Sequence, residues 1–507
     1  MIAKAHSATL IGIEALPIVI EVDLSPGEFQ QIVIVGLPDQ AVAESRERVR
    51  TAIRNSGLEF PLKRVLVNLA PGDIRKEGPF LDLPIAAVLL AAHAHQVPIY
   101  ELEDTLILGE LGLDGHVRPV DGAVSVALMA AENGFRRLIV PEPNAAEAAI
   151  APGVEVFGVR TLLEMVELLN GSSLHSPVPS VAERPPEPPK YDVDFADVKG
   201  QKQAIRALEI AAAGGHNLLM CGPPGSGKTM LARRLPTILP PLSLEESIEV
   251  TRIYSASGKK GSKVGLLWER PFRSPHHSAS HPAIVGGGKV PKPGEISMGH
   301  KGVLFMDEMP EFERPVLEAL RQPLEDGIVT VSRVTSTMTF PAETMLIGAM
   351  NPCPCGFKGY PEQKCVSSPA SCGRYAAKIS GPLMDRIDLH IDVPRLKTDE
   401  LLDMSSGESS ERIRERVLLA RERQHQRLGN RRVNAKMNPR EIKETLQLDA
   451  ESEAFMRLIL AKMNLSARVF DRILKVSRTI ADLNGSESIN KTHLAEAVQY
   501  REQADRF

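Results

Sequence analysis

The chain has 507 residues, more than one hydrophobic core usually serves, so several domains are expected. Hydrophobic residues make up 43% and charged residues 24%, an ordinary water-soluble balance that excludes wholesale disorder and a membrane-embedded class. The net charge of -4 excludes bulk attraction to nucleic acid, so any such contact has to come from local basic patches.

The opening stretch from Met1 to Leu24 is broken by His6 and Glu14, and its alternation suits a strand pair better than a signal peptide. Further strand-like runs at Gln31 to Val35, Val65 to Leu69, Thr105 to Leu108 and Arg137 to Val140 alternate with helical stretches at Ala41 to Asn55 and Leu83 to Ala94. This pattern predicts an α/β domain over 1–171. Even the apolar stretch Pro84 to Val97 carries His93, His95 and Gln96, and no run reaches the ~18 residues a bilayer needs. A cytoplasmic protein with no membrane contact is expected. Residues 172–190 are rich in Pro and Ser without an apolar period, the composition of a linker.

Beyond the linker, His216 to Met220, Gly302 to Met306 and Thr344 to Ala349 read as short buried strands, each running into a polar loop. In open parallel sheets ligands bind at the carboxyl ends of such strands. The first leads into Gly222, Pro223, Pro224, Gly225, Ser226, Gly227, Lys228 and Thr229, the G-x-x-x-x-G-K-[ST] pattern in its strand-loop-helix setting. Glycines let backbone amides wrap phosphates, Lys228 reaches the terminal phosphates and Thr229 offers a hydroxyl to Mg²⁺, so ATP with Mg²⁺ is the expected ligand. The second strand ends in Asp307 and Glu308, suited to the metal shell and to a general base. The third ends at Asn351, whose amide can orient water or sense the terminal phosphate. Arg386 fits an arginine that stabilises charge on a neighbouring subunit's phosphoryl group, against the plainer reading of a surface pair with Asp385 or Asp388.

Four of the five cysteines fall between Asn351 and Arg386, at Cys353, Cys355, Cys365 and Cys372. With no export signal a disulfide framework is disfavoured, and four thiolates could close a structural Zn²⁺ site. Reduced structural cysteines and a redox switch are the competing readings. Beyond about Arg395 strand signals stop, and helices are expected at Glu400 to Arg427, Pro439 to Leu446, Ser452 to Met463, Ala467 to Leu483 and Lys491 to Tyr500.

The segments YDVDFADVKGQ, GPPGSGKT, PFRSPHHSASHPAIVGGGKVPKPGEISMGHKGVLFMDE, NPCPCG and SGPLMDRIDLH make the chain resemble the YifB/ComM family of magnesium-chelatase-like AAA+ proteins over essentially its whole length. The resemblance implies an AAA+ core over 191–395, with a helix-two insert and a hairpin ahead of sensor one, followed by a helical lid over 396–507. Pro271 to Ser297 and Gly327 to Phe340 would line a ring's pore, with Lys289, Lys292 and Arg333 facing DNA; a solvated basic face is the bland alternative. Arg468 would take the sensor-two position, with Arg472 its rival one turn away. Family likeness further implies a hexameric homo-oligomer using ATP to drive DNA branch migration during recombination in natural transformation. A chelatase-like motor remodelling a protein partner is the alternative. The basic stretch ERIRERVLLARERQHQRLGNRR fits either phosphate contact or pairing with its own glutamates.

The first domain resembles the proteolytic domain of Lon through VLVNLAPGDIRKEGPFLDLPIAA, LILGELGLDGHVRPVDGAVSVALMAAENG and RLIVPEPN. Where that resemblance places a serine nucleophile this chain has Phe80, and where it places the lysine it has Val124. Neither can do the chemistry, so an inactive scaffold or docking domain is expected.

Overall fold

The computed structural model describes residues 2–26, 31–93, 96–172, 175–180, 191–258, 265–288, 291–332, 337–360, 363–396, 407–429, 432–446, 448–463 and 466–502. Its contacts gather into two compact units, Met1–Glu187 with Ser243–Trp268, and Pro188–Leu242 with Glu269–Phe507.

The first unit is a seven-stranded mixed sheet. Its spine is a long hairpin, Ile2–Ile11 against Glu14–Ser25, paired from Ile2↔Asp23 to Ile11↔Glu14. Alternation fixes which side faces the core: Ala3, Ala5, Ile18, Ile20 and Val22 are buried while their neighbours are not. Arg64–Ala70 and then Ile32–Val35 extend one side, and Thr105–Ile107, Arg137–Pro141 and Glu155–Val159 extend the other. Helix Asp82–Ala92 is apolar around its circumference and almost wholly buried, as such a helix must be. Helix Ala123–Glu132 and strand Glu155–Val159 escape the sequence reading; the helix is buried on most sides and has no polar face to display a period.

The contacts divide the chain differently from the expected 191–395 span: helix Leu244–Ser257 and the chain as far as Trp268 gather with the first unit. Apolar complementarity is the cause: Leu266 is buried with Val124 and Ile150, and Leu244, Ile248 and Trp268 pack around them. Polar groups fix the register, Gly122 N donating to Ser255 Oγ at 2.9 Å and Arg252 Nη2 to Ile13 O at 3.3 Å. Val124, at the position where the protease resemblance expects a lysine, is therefore a fully buried packing residue. Phe80 likewise packs against the apolar clusters. Of the expected linker, residues 175–180 carry no regular secondary structure, with Val178 N donating to Val156 O at 2.8 Å, while 173–174 and 181–190 lie outside the described residues.

The second unit is built on a five-stranded, all-parallel sheet. Its order is Phe272–Arg273, Val303–Met306, Met345–Met350, Leu218–Cys221, Leu389–Asp392. The three central strands are buried at every position, as a parallel sheet covered on both faces requires. Helices Ser410–Leu428, Pro439–Thr445, Ala450–Met463, Ala467–Leu483 and Lys491–Glu502 follow, so the mixed α/β reading with a helical carboxyl-terminal region holds. Ser409, Asn438 and Ser466 cap three of them by accepting backbone N–H bonds. Ile413, Ile473, Leu474 and Val498 join Leu218, Ile347 and Leu389 in a single apolar core, which ties these helices to the sheet. Among the described residues no helix is long and apolar enough to cross a membrane.

Candidate functional site

The first central strand, Leu218–Cys221, is flanked by Met345–Met350 on one side and Leu389–Asp392 on the other. Chain order reverses direction across it, which opens a crevice at the carboxyl ends. Gly222 opens the following loop in contact with the neighbouring strand's exit; a Cβ there would stand 2.2 Å from Val393 O, so no other residue fits without moving backbone. Gly227 has φ +92, and helix Lys228–Ile238 starts directly after it.

Five sequence-selected residues, Lys228, Thr229, Asp307, Glu308 and Asn351, converge here. Lys228 Nζ donates to Gly222 O at 2.7 Å and Pro223 O at 3.0 Å, and stands 3.4 Å from Asn351 Oδ1. Burial lowers the lysine's pKa from its ordinary value, against an opposing pull from neighbouring acidic groups that include Asp307. Thr229 donates from Oγ1 to Asp307 Oδ2 at 2.7 Å, which sets hydroxyl and carboxylate side by side as a Mg²⁺ shell needs. Glu308 follows with φ +49, a left-handed conformation uncommon outside glycine, and its carboxylate is 55% exposed. His277 Nδ1 stands 3.3 Å from Glu308 Oε2. The sequence reading gave this histidine no role; its only signal was the run PHH inside the segment Pro271 to Ser297.

The cysteine loop leaves the cradle directly after Asn351. Cys353 Sγ is 3.3 Å from Cys355 Sγ and 3.7 Å from Cys365 Sγ, and the latter two are 3.5 Å apart. These three could hold one metal ion, and Cys372 Sγ joins through Cys365 at 3.9 Å. A hydrogen bond from Ser367, above all, holds the Cys355 thiol well below its usual range. The loop is fastened to the cradle. The Arg395 guanidinium sits over the Phe357 ring at 5.3 Å and donates to Pro224 O at 2.9 Å, and Tyr360 OH bonds to Asp392.

Arg386 and Arg468 meet elsewhere. Leu218 pairs with Leu389 and Cys221 with Asp392, so Arg386, just ahead of Leu389, lies at the amino end of the sheet, with the P-loop at the carboxyl end. Four residues of strand put ~13 Å between those ends. Arg386 is 7% exposed and pairs with Glu325, and its Nη1 donates to Pro382 O at 2.8 Å. Neither Asp385 nor Asp388, the partners weighed from sequence, is its counterion. Arg468 Nη2 approaches the same Glu325 at 3.7 Å. The bond from Arg386 holds the Glu325 carboxyl below its ordinary range. Arg472 is committed inward, pairing with Asp388 and donating to Arg386 O at 3.0 Å. Burial alone would raise the Asp388 carboxyl, but Arg472 and a bond to His216 outweigh it and hold it well down. Arg468, Arg472, Lys475, Lys436 and Glu325 line a polar cavity of about 390 Å³ at this end.

Of the basic residues expected to face DNA, Lys292 is exposed in a small hairpin, Gly286–Gly287 against Lys292–Pro293. Lys289 and Arg333 lie outside the described residues. A second hairpin, Ile328–Ser332 against Thr337–Pro341, stands before strand Met345–Met350, which leads into Asn351.

Comparison with known proteins is consistent along the chain. The family described as magnesium chelatase, subunit ChlI, matches residues 194–401, with the related ChlI subunit description over 20–144 and its C-terminal description over 407–501. Competence protein ComM of Haemophilus influenzae is 44% identical over 506 residues, covering 99% of this chain and 97% of that protein. The uncharacterised YifB of Salmonella typhimurium is 45% identical over 504 residues, with the same coverage of each. The DNA repair protein RadA of Escherichia coli is 30% identical over 136 residues, 25% of this chain and 28% of that protein.

Proposed function

Since the chain belongs to the YifB/ComM family of magnesium-chelatase-like proteins, we propose that it is an AAA+ ATPase whose active sites form between copies of itself in a ring and whose work is done on DNA. The observation that carries this is the separation of its two half-sites. Lys228, Thr229, Asp307, Glu308 and Asn351 gather at the carboxyl end of the sheet, whereas Arg386 and Arg468 share Glu325 at the amino end. A rigid sheet does not fold back on itself, so the arginines serve a nucleotide held by the next copy.

In this reading the P-loop amides and Lys228 hold the phosphates of ATP, and Thr229 with Asp307 holds Mg²⁺, which neutralises charge on the phosphate oxygens. Glu308 accepts a proton from the attacking water, Asn351 orients that water, and Arg386 supplies positive charge from the neighbouring subunit, with Arg468 joining it. Cys353, Cys355, Cys365 and Cys372 hold a structural Zn²⁺ that stiffens the loop next to Asn351. The first unit, similar to the Lon proteolytic domain but without its dyad, serves as a scaffold. The printed names competence protein ComM and DNA repair protein RadA support DNA as the substrate; branch migration during natural transformation is the specific activity we propose.

Mixing subunits tests the arrangement. Lys228→Ala and Arg386→Ala chains are each expected to be inactive alone, and to regain ATPase when combined, because an intact cradle then meets an intact arginine. Mixtures as inactive as the parents count against it. A four-way-junction migration assay with ATP, ADP and Glu308→Gln protein decides the substrate, and an ATPase indifferent to DNA at low salt favours the protein-remodelling alternative.

A further inference from the structure

Asn217 stands immediately ahead of strand Leu218–Cys221, at the end of the sheet where Arg386 lies. Leu218 pairs with Ile347 on one side and with Leu389 on the other, so Asn217 sits between the entries of both neighbouring strands. All four of its polar groups are used there. Its backbone N–H donates to Asp388 Oδ2 at 3.2 Å, and its carbonyl accepts from Asp388 N at 3.1 Å and from Leu389 N at 3.0 Å. Its side-chain Oδ1 accepts from Leu346 N at 2.9 Å, and Nδ2 donates to Arg386 O at 3.1 Å. The two partners fix which way the amide points, since a backbone N–H can only donate and a carbonyl oxygen can only accept.

We propose that Asn217 is a positioning residue for Arg386, fastening its carbonyl to the strand that leads into Asn351 so that the arginine is correctly placed for the next copy's nucleotide. This rests on the reading of Arg386 as serving that nucleotide. The carbonyl and the side chain of Arg386 leave the same Cα, so the guanidinium inherits its starting point from the backbone that Asn217 holds. The helix before it, Gly381–Met384, has four residues, too few to keep a fixed position unaided. The other donor to Arg386 O is Arg472 Nη1, at 3.0 Å, which comes from helix Ala467–Leu483; Asn217 supplies the tie to the sheet. An amide places an acceptor and a donor on two separate atoms, as Leu346 N and Arg386 O require, whereas an aspartate of the same shape offers acceptors only.

The test is steady-state ATPase of full-length Asn217→Ala and Asn217→Asp proteins, alone and in pairwise mixtures. Each should lose about ten- to hundredfold in kcat, as a reacting group misplaced by up to ~1 Å does. Binding of a fluorescent ATP analogue should stay unchanged, because the cradle lies at the opposite end of the sheet. Mixed with Lys228→Ala, either variant should rise above its own rate, since its intact cradle then meets a well-placed arginine; mixed with Arg386→Ala, neither should. Rescue by Arg386→Ala and none by Lys228→Ala places the fault in the variant's own cradle and overturns the proposal. Undiminished kcat in Asn217→Asp overturns it too, as does loss of analogue binding by both variants; loss by Asn217→Ala alone leaves the isosteric Asn217→Asp to decide. If Lys228→Ala and Arg386→Ala do not complement each other, the reading of Arg386 falls and the proposal with it. If they do, and the Asn217 variants gain nothing from Lys228→Ala, the proposal alone falls.

Discussion

Replacing Arg472 and Arg468 by alanine, one at a time, separates stability from activity on a single helix. Arg472 neutralises Asp388, whose carboxylate is 6% exposed and otherwise met by His216 Nδ1 at 3.3 Å and Asn217 N at 3.2 Å. Losing one partner of a buried pair costs about 3–5 kcal/mol, and the two remaining donors place Arg472→Ala near the lower end. Arg468 is 54% exposed and stands 3.7 Å from Glu325, so its removal costs under about 1 kcal/mol. Its effect should fall on turnover, about 10²-fold in kcat for a lost phosphate-stabilising donor. Urea denaturation followed by circular dichroism is the suitable assay, since Trp268, the only tryptophan, lies in the first unit and reports that unit instead. Equal destabilisation by the two variants, or an Arg468→Ala protein with undiminished turnover, would refute the reasoning.

Metal analysis of reduced protein should find about one zinc per chain. Cys365→Ser should lose it, because Cys365 lies within 3.9 Å of all three other thiols; metal-free wild-type protein counts against the site. His390 is fully buried with neither ring nitrogen bonded, and burial lowers its pKa to about 3. Below pH ~6.5 only the unfolded chain takes this proton, so stability should fall with decreasing pH by up to ~1.4 kcal/mol per unit. His390→Phe should flatten that slope between pH 7 and 5, and an unchanged slope would show that other groups govern it. Gly356 has φ +85, and a Cβ there would meet Pro224 Cδ at 2.4 Å. Gly356→Ala should therefore push the cysteine loop off the cradle and weaken binding of a fluorescent ATP analogue about tenfold, ~1.4 kcal/mol; undiminished affinity would uncouple loop from cradle.

Local chemistry made the cradle legible. Leu218–Cys221, Val303–Met306 and Met345–Met350 announce themselves as short apolar runs, and the residues that follow each run are fixed by position at the strand's carboxyl end. Helix Ala467–Leu483 was legible at both ends because its cap at Ser466 and its apolar period agree. Other features depend on what meets what across long stretches of chain. Sequence alone marked Arg386, Arg468 and Arg472 as cations, but only packing shows that Arg472 is tied to Asp388 while the other two share Glu325. The destination of helix Leu244–Ser257 was equally hidden, since its place depends on apolar surface around Val124 that the helix itself does not encode. The pairing of His277 with Glu308 belongs to the same class. Residue type and spacing determine which chemistry a segment can do, whereas the choice of partner follows from tertiary contacts that no local pattern records.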